Sequence, residues 1–211
     1  MAVDPAMPLR ADAQRNRDQI IAAARTIFVG QGPDTPMEEI ARAAGVGVGT
    51  LYRRFPDRET LIREVARDNF ARVLAEARAS IEEEPTSWDA LVRFVRFSRE
   101  LRLSLHLAVI SEQAGAIIRD DPETERFRRL LLIDLDHMVK GAQAEDRLRP
   151  DVGTGDVAML FLLLMRQLPT KLTAIENAMD RCLALVFDSL RIHPGHTPLP
   201  GRPITHDDFL R

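Results

Sequence analysis

Residues 35–63, TPMEEIARAAGVGVGTLYRRFPDRETLIR, constrain the fold most, because they place two short helices around a glycine turn and lead directly into a longer helix. Thr35 stands where an N-cap belongs and Pro36 at the first helical position, where its missing N–H costs nothing. Glu38, three residues after Thr35, completes a capping box. Ile40, Ala41 and Ala44 form one apolar face, and Gly45 ends the helix by taking the left-handed conformation that a residue with a Cβ resists. After the turn 45–48 a second short helix is expected over residues 49–55, with Leu51 and Phe55 four apart on its buried side. Thr50, Tyr52, Arg53 and Arg54 are then left facing outward. A helix exposing a hydroxyl, a phenol and two guanidiniums suits a DNA groove.

The stretch GVGVGTLYRRFPDRETL resembles the TetR family of bacterial repressors, whose signature is a glycine turn, then G-T-L-Y-x-x-F-x-x-K/R-E-x-L across the recognition helix and into the next. Residues 15–31 agree, with Ile20, Ala24, Ile27 and Phe28 on one stripe, so the likeness runs over residues 15–63. It implies an all-α fold of about nine helices: an N-terminal three-helix helix-turn-helix DNA-binding domain, then a helical effector-binding and dimerisation domain. The matching positions imply DNA contacts from Thr35, Gly49, Thr50, Tyr52, Arg53, Arg54 and Arg58, with Tyr52 and Arg58 on the phosphate backbone and Arg53 at base edges. Two positions depart from the family pattern. Gly47 stands where a Ser or Thr often caps the recognition helix, and Val48 where a Lys is common. One side-chain cap and one DNA contact are therefore expected to be missing, although Gly at an N-cap costs only about a few tenths of a kcal/mol.

A chain of 211 residues, 45% of them hydrophobic, has room for a small domain joined to a larger one. Its formal net charge of −3 means that DNA affinity must come from local placement of arginines and not from the field of the whole molecule. A single cysteine, Cys182, excludes a disulfide framework and suits a reducing cytosol. The start, MAVDPAMPLR, has no apolar signal core, and the apolar run 157–165 is too short to span a bilayer, so a cytoplasmic protein without membrane contact is expected.

Beyond the reader the chain is expected to stay helical to about residue 192. Asp57 can cap a fourth helix running to about residue 83, with Leu61, Val65, Val73, Ala77 and Ile81 near one stripe. A fifth follows Thr86-Ser87 and carries Trp88, Leu91, Phe94, Val95 and Phe97. A sixth is expected over 103–118, a seventh over 123–145, an eighth over 155–168 and a ninth over 173–192. The expected domains are a flexible arm over 1–14, the DNA-binding domain over 15–60, the effector and dimerisation domain over 61–192, and a loose Pro/Gly/His-rich tail over 193–211.

Residues 157–165 are apolar on every side, so one face can cover its own subunit only if another meets a partner. In the ninth helix Met179, Cys182, Val186 and Leu190 form a stripe widened by Leu183 and Phe187. The resemblance pairs these two helices in a homodimer, with Met159, Leu163, Met179, Leu183, Val186 and Phe187 at the contact. Cys182 reads as a small buried hydrophobe. The resemblance also implies a pocket for an unidentified small-molecule effector among helices four to seven. Its candidate walls are Phe70, Leu74, Trp88, Phe94, Phe97, His106, Val109, Gln113, Leu131, Leu135 and Met138, with Glu112 and His137 nearby. Each is also an ordinary core or surface position.

Residues Asp134, Asp136 and His137 fall on different helical faces, and His193, His196 and His206 lie on the tail. Neither set reads as a metal site, and no cofactor is expected. No nucleophile elbow, H-E-x-x-H or kinase signature occurs, so nothing points to an enzyme. The sequence thus reads as a homodimeric, ligand-responsive regulator that represses from an inverted-repeat operator in double-stranded DNA. The alternative is a helical ligand-binding or sequestering protein with weakened DNA contact.

Overall fold

The computed structural model describes residues 6–97, 111–166 and 174–209. Among these the chain is all-α, with ten helices and one isolated bridge, Leu148 to Arg191. In chain order they are α1 (Ala6–Gln31), α2 (Met37–Ala43), α3 (Val48–Arg54), α4 (Arg58–Glu83), α5 (Ser87–Phe97), α6 (Glu112–Arg119), α7 (Pro122–Ala144), α8 (Thr154–Arg166), α9 (Ala174–Leu190) and α10 (His206–Phe209). They fall into two compact units. The first takes in the described part of Met1–Asn69 with that of His106–Glu125, and the second that of Phe70–Leu105 with that of Arg126–Arg211.

The first unit is built around the apolar stripes legible in the sequence. Ile20, Ala24 and Phe28 of α1, Ile40 and Ala41 of α2, Leu51 of α3 with Phe55 after it, and Leu61 and Val65 of α4 are all buried. The α2 helix ends in a Schellman motif: Gly45 has φ +67°, its N–H donates to the Arg42 carbonyl and the Val46 N–H to the Ala41 carbonyl. Asp57 caps α4 by accepting the Thr60 N–H at 2.7 Å, as its position implies. Two expectations fail here. The arm over 1–14 is helical from Ala6 onward, because residues 6–14, AMPLRADAQ, are mostly strong helix formers. Pro8 falls in the first turn, where no N–H is needed, and Asp12 pairs with Arg15 one turn on. The capping box of α2 does not form either. Helix α2 starts one residue later, at Met37, and the Thr35 hydroxyl turns back to donate to the Gly32 carbonyl at 3.1 Å.

The first unit also extends beyond residue 60, taking in the start of α4 together with α6 and the turn after it. Ser111 caps α6 by accepting the Ala114 N–H, and Ala114 and Ile118 are buried. The expected beginning of the sixth helix, over 103–110, lies outside the described residues. Ion pairs bind the elements of this unit. Glu64 of α4 receives Arg17 of α1 at 2.7 Å and Arg67 at 2.9 Å, and Arg67 grips Asp121 with two nitrogens, at 2.9 and 2.5 Å.

The core of the second unit holds Trp88 edge-on against Phe187, ring centroids 6.0 Å apart, with the Arg191 guanidinium 4.9 Å over its face. The C-terminal tail is a correction: it is strapped down, not loose. Asp151 accepts the Leu199 N–H and pairs with Arg149, which also donates to the Thr197 carbonyl. Asp156 accepts the N–H groups of Gly153 and Ile204, and the Gly155 N–H donates to the Ile204 carbonyl at 2.7 Å. Glycine is required at both positions, since a Cβ on Gly153 would overlap the Ile204 carbonyl oxygen and one on Gly155 the Ile204 side chain. Short-range composition marked this tail as loop, whereas groups some fifty residues upstream tie it down.

Candidate DNA-binding surface and effector cavity

The α3 helix is positioned by its two buried anchors, Leu51 and Phe55, with the Gly47 carbonyl accepting the first N–H groups, of Thr50 and Leu51. Gly47 is its N-cap and supplies no side-chain bond, as the sequence predicts; the helix begins one residue earlier than expected, at Val48. Its outward face presents Val48, Gly49, Tyr52, Arg53 and Arg54, with Thr50 half-buried beside them. Among the described residues Arg53 and Arg54 have no ion pair, so both charges are open to phosphates or base edges. The Tyr52 hydroxyl donates to the Glu38 carboxylate at 3.2 Å, which fixes the ring across α2 and α3 and raises the phenol's pKa.

Two of the expected DNA contacts are placed elsewhere. Arg58 turns inward: its Nη1 donates to the carbonyls of Pro33 at 2.6 Å and Thr35 at 2.5 Å, clamping the loop ahead of α2. The reason is local, because two otherwise unanswered loop carbonyls converge where a guanidinium can meet them. Thr35 is buried, its hydroxyl committed to Gly32. What remains on the surface is Gly49, Thr50, Tyr52, Arg53 and Arg54.

In the second unit an apolar cavity of about 140 Å³ is lined by Phe70, Phe94, Val95, Arg128, Leu131, Leu132, Leu135, Val157, Ala158, Phe161 and Leu162. Of the expected wall residues, Phe70, Phe94, Leu131 and Leu135 line it. Trp88 is core against Phe187, Leu74 is buried without reaching the cavity, and Phe97 is half-exposed on the surface. Met138 borders a separate polar depression with Ser87 and His137. Gln113 lies in the first unit, beside Arg58 and Asp57. His106 and Val109 lie outside the described residues. The sequence reading missed α8 as a wall, although its all-round apolarity called for a second buried face. It also missed Arg128, which shares a face of α7 with Leu131, Leu132 and Leu135 at i, i+3, i+4 and i+7. A lone arginine within an apolar stripe is the available signal.

The expected homodimer face divides in two. Leu183 and Phe187 point into their own unit, because Trp88 and its neighbours need covering. Met159, Leu160, Leu163 (54% exposed) and Leu185 (70% exposed) form the apolar surface, with Val186 half-buried. Cys182 is exposed, against expectation, since it points about a third of a turn around α9 from the buried Leu183 and Phe187. The side chain of Met179 lies outside the described residues.

A family model described as bacterial regulatory proteins, tetR family, matches residues 20–65, the α1–α4 region with its turn. A TetR transcriptional regulator from Streptomyces coelicolor is 32% identical, with 83% of this chain and 98% of that chain covered and a TM-score of 0.66. The chain belongs to the TetR family. A TetR transcription regulatory protein from Mycobacterium vanbaalenii is likewise 32% identical, covering 88% of this chain and 100% of that one at a TM-score of 0.65. The regulator UidR of Escherichia coli K12 is 26% identical over 164 residues, 73% of this chain and 80% of that protein. The all-α architecture and the helix-turn-helix are thus those of a TetR-family, DNA-binding transcriptional regulator. Among its described residues no helix is long and apolar enough to cross a membrane.

Proposed function

We propose that this TetR-family regulator acts in the cytoplasm as a homodimeric repressor that leaves an inverted-repeat operator when a small molecule fills the cavity of the second unit. The observation that carries the reading is helix α4. It begins at Arg58, four residues after the recognition helix ends, and its Phe70 lines the cavity. Helix α4 thus has its start in the DNA-reading unit and supplies a cavity wall farther along, so a ligand pressing on Phe70 can shift the population between operator-binding and non-binding forms. A coupling of about 1 to 3 kcal/mol corresponds to roughly 5- to 150-fold weaker operator binding. The exposed Met159, Leu163 and Leu185 support self-association, which sets two recognition helices about one DNA turn, or a multiple, apart.

The test is a gel shift with the DNA upstream of the protein's own gene, then calorimetry of a cavity ligand with and without operator. Reciprocity requires that operator weaken the ligand by the factor by which ligand weakens operator. Equal ligand affinities in the two titrations overturn ligand release. The second reading, a sequestering protein with weakened DNA contact, is supported by the uncapped Gly47 and the uncharged, exposed Val48. No retardation of any inverted-repeat DNA at low salt favours it over the repressor.

A further inference from the structure

We propose that the cavity of the second unit takes an uncharged, apolar molecule about the size of one ring. This rests on the reading of that cavity as the effector site and names the chemistry it selects. Ten of its eleven lining residues have hydrocarbon side chains, and all eleven are buried or half-buried. Almost none of the surface they present is polar, so the eleventh, Arg128, borders the cavity through its methylene stem and offers no charge to a ligand. No carboxylate, hydroxyl, amide or imidazole side chain stands among these walls.

Walls of this kind select by what a ligand must give up on leaving water. A carboxylate or an ammonium would surrender its hydration and meet neither a counter-charge nor a hydrogen-bond partner. For an ammonium, the rings of Phe70, Phe94 and Phe161 recover only a small part of that loss. An alcohol loses less but leaves its hydroxyl unanswered. A hydrocarbon is driven out of water and gains dispersion contacts with every wall, and an aromatic one adds ring contacts with the three phenylalanines. Water is a poor competitor, since a held water needs about two to four polar partners. Size narrows the choice further, since about 140 Å³ is close to an engineered cavity of about 150 Å³ that takes up benzene. The ligand is therefore a single ring or a short branched chain, not a steroid or a long acyl chain.

Calorimetry of the full-length protein at pH 7 with toluene, phenol, benzoate and benzylammonium, four probes built on one ring, tests this. Toluene is expected to bind, phenol on the order of tenfold more weakly, and the two ions at least about a hundredfold more weakly. Ala158→Phe, which fills the cavity from α8, should abolish toluene binding. Leu162→Phe, at a half-buried lining position where an added ring is less disruptive to folding, should weaken it. Either ion binding as tightly as phenol, or phenol binding more tightly than toluene, overturns the assignment of an uncharged apolar ligand while leaving the cavity as the effector site. Toluene binding undiminished in both variants overturns the cavity as its site. Failure of all four probes to bind at millimolar concentration overturns the proposal. Toluene that binds the wild type and is lost in Ala158→Phe, yet leaves operator affinity unchanged in gel shifts, overturns the effector reading and not the chemistry of the cavity.

Discussion

Replacing Asp121 by Asn tests whether the ion-pair network of the first unit stabilises the DNA-reading part of the chain. The Asp121 side chain is only 2% exposed, accepts two bonds from Arg67, and also takes the Thr124 N–H and hydroxyl at 2.9 Å each. It is thus both the partner of α4 and the N-cap of α7, with Pro122 at the first helical position. The Arg67 hydrogen bonds, the largest influence, hold its carboxyl at about 2, below the ordinary 3.8. That difference corresponds to about 2 kcal/mol favouring the folded state when the group is ionised. Arg67 keeps 35% of its side chain in water, so screening trims the figure to about 1 to 2 kcal/mol. Asn retains the cap but turns an NH₂ toward the guanidinium, so Asp121→Asn should lower the melting temperature at pH 7 by roughly 2 to 8 °C. Asp121→Ala should cost about 1 kcal/mol more through loss of the cap.

The pH dependence supplies the sharper check. Because the folded-state pKa is depressed, the contribution is complete above 3.8 and is lost as pH falls from there through about 2. Urea titrations of wild type and Asp121→Asn should therefore differ at pH 7 and converge near pH 2. Equal stabilities at pH 7, or a gap that persists unchanged in acid, would refute the reasoning.

Arg53→Ala should weaken operator binding and blur base preference by about 1 to 3 kcal/mol in gel shifts across operator variants. Arg58→Ala should instead lower thermal stability, since two loop carbonyls lose their donor; weaker DNA binding at unchanged stability would contradict this. Gly47→Ser should gain about a few tenths of a kcal/mol in urea titrations, because a Cβ there meets only the Thr50 hydroxyl at 3.9 Å. Leu163→Glu should give folded monomers in light scattering, whereas Phe187→Glu should unfold the second unit by burying a charge against Trp88; the same outcome from both would refute the division of that face. Gly155→Val should release the tail, seen as faster proteolysis near residue 204, because the added side chain occupies the place of Ile204.

What the amino-acid sequence determined by itself rests on neighbours a few residues apart, although not every local expectation held, since the Thr35 hydroxyl turned to Gly32 and left the capping box of α2 unformed. The stripe of Ile20, Ala24 and Phe28, the left-handed Gly45, the uncapped Gly47, the anchors Leu51 and Phe55 and the cap at Asp57 follow from helical periodicity and backbone conformation, and these carried both the fold and the reader. The tertiary structure alone decided matters set between residues distant in the chain. Whether Arg58 faces DNA or the loop at Pro33 and Thr35 depends on which acceptors converge on it, and a guanidinium suits either. Whether Leu183 and Phe187 meet a partner or Trp88 cannot be read from α9, because an apolar stripe records the need for cover and not what supplies it. The strap over 197–204 rests on Arg149, Asp151, Gly153, Gly155 and Asp156, and the hold of Asp121 on Arg67 spans 54 residues; periodicity carries no information across such separations.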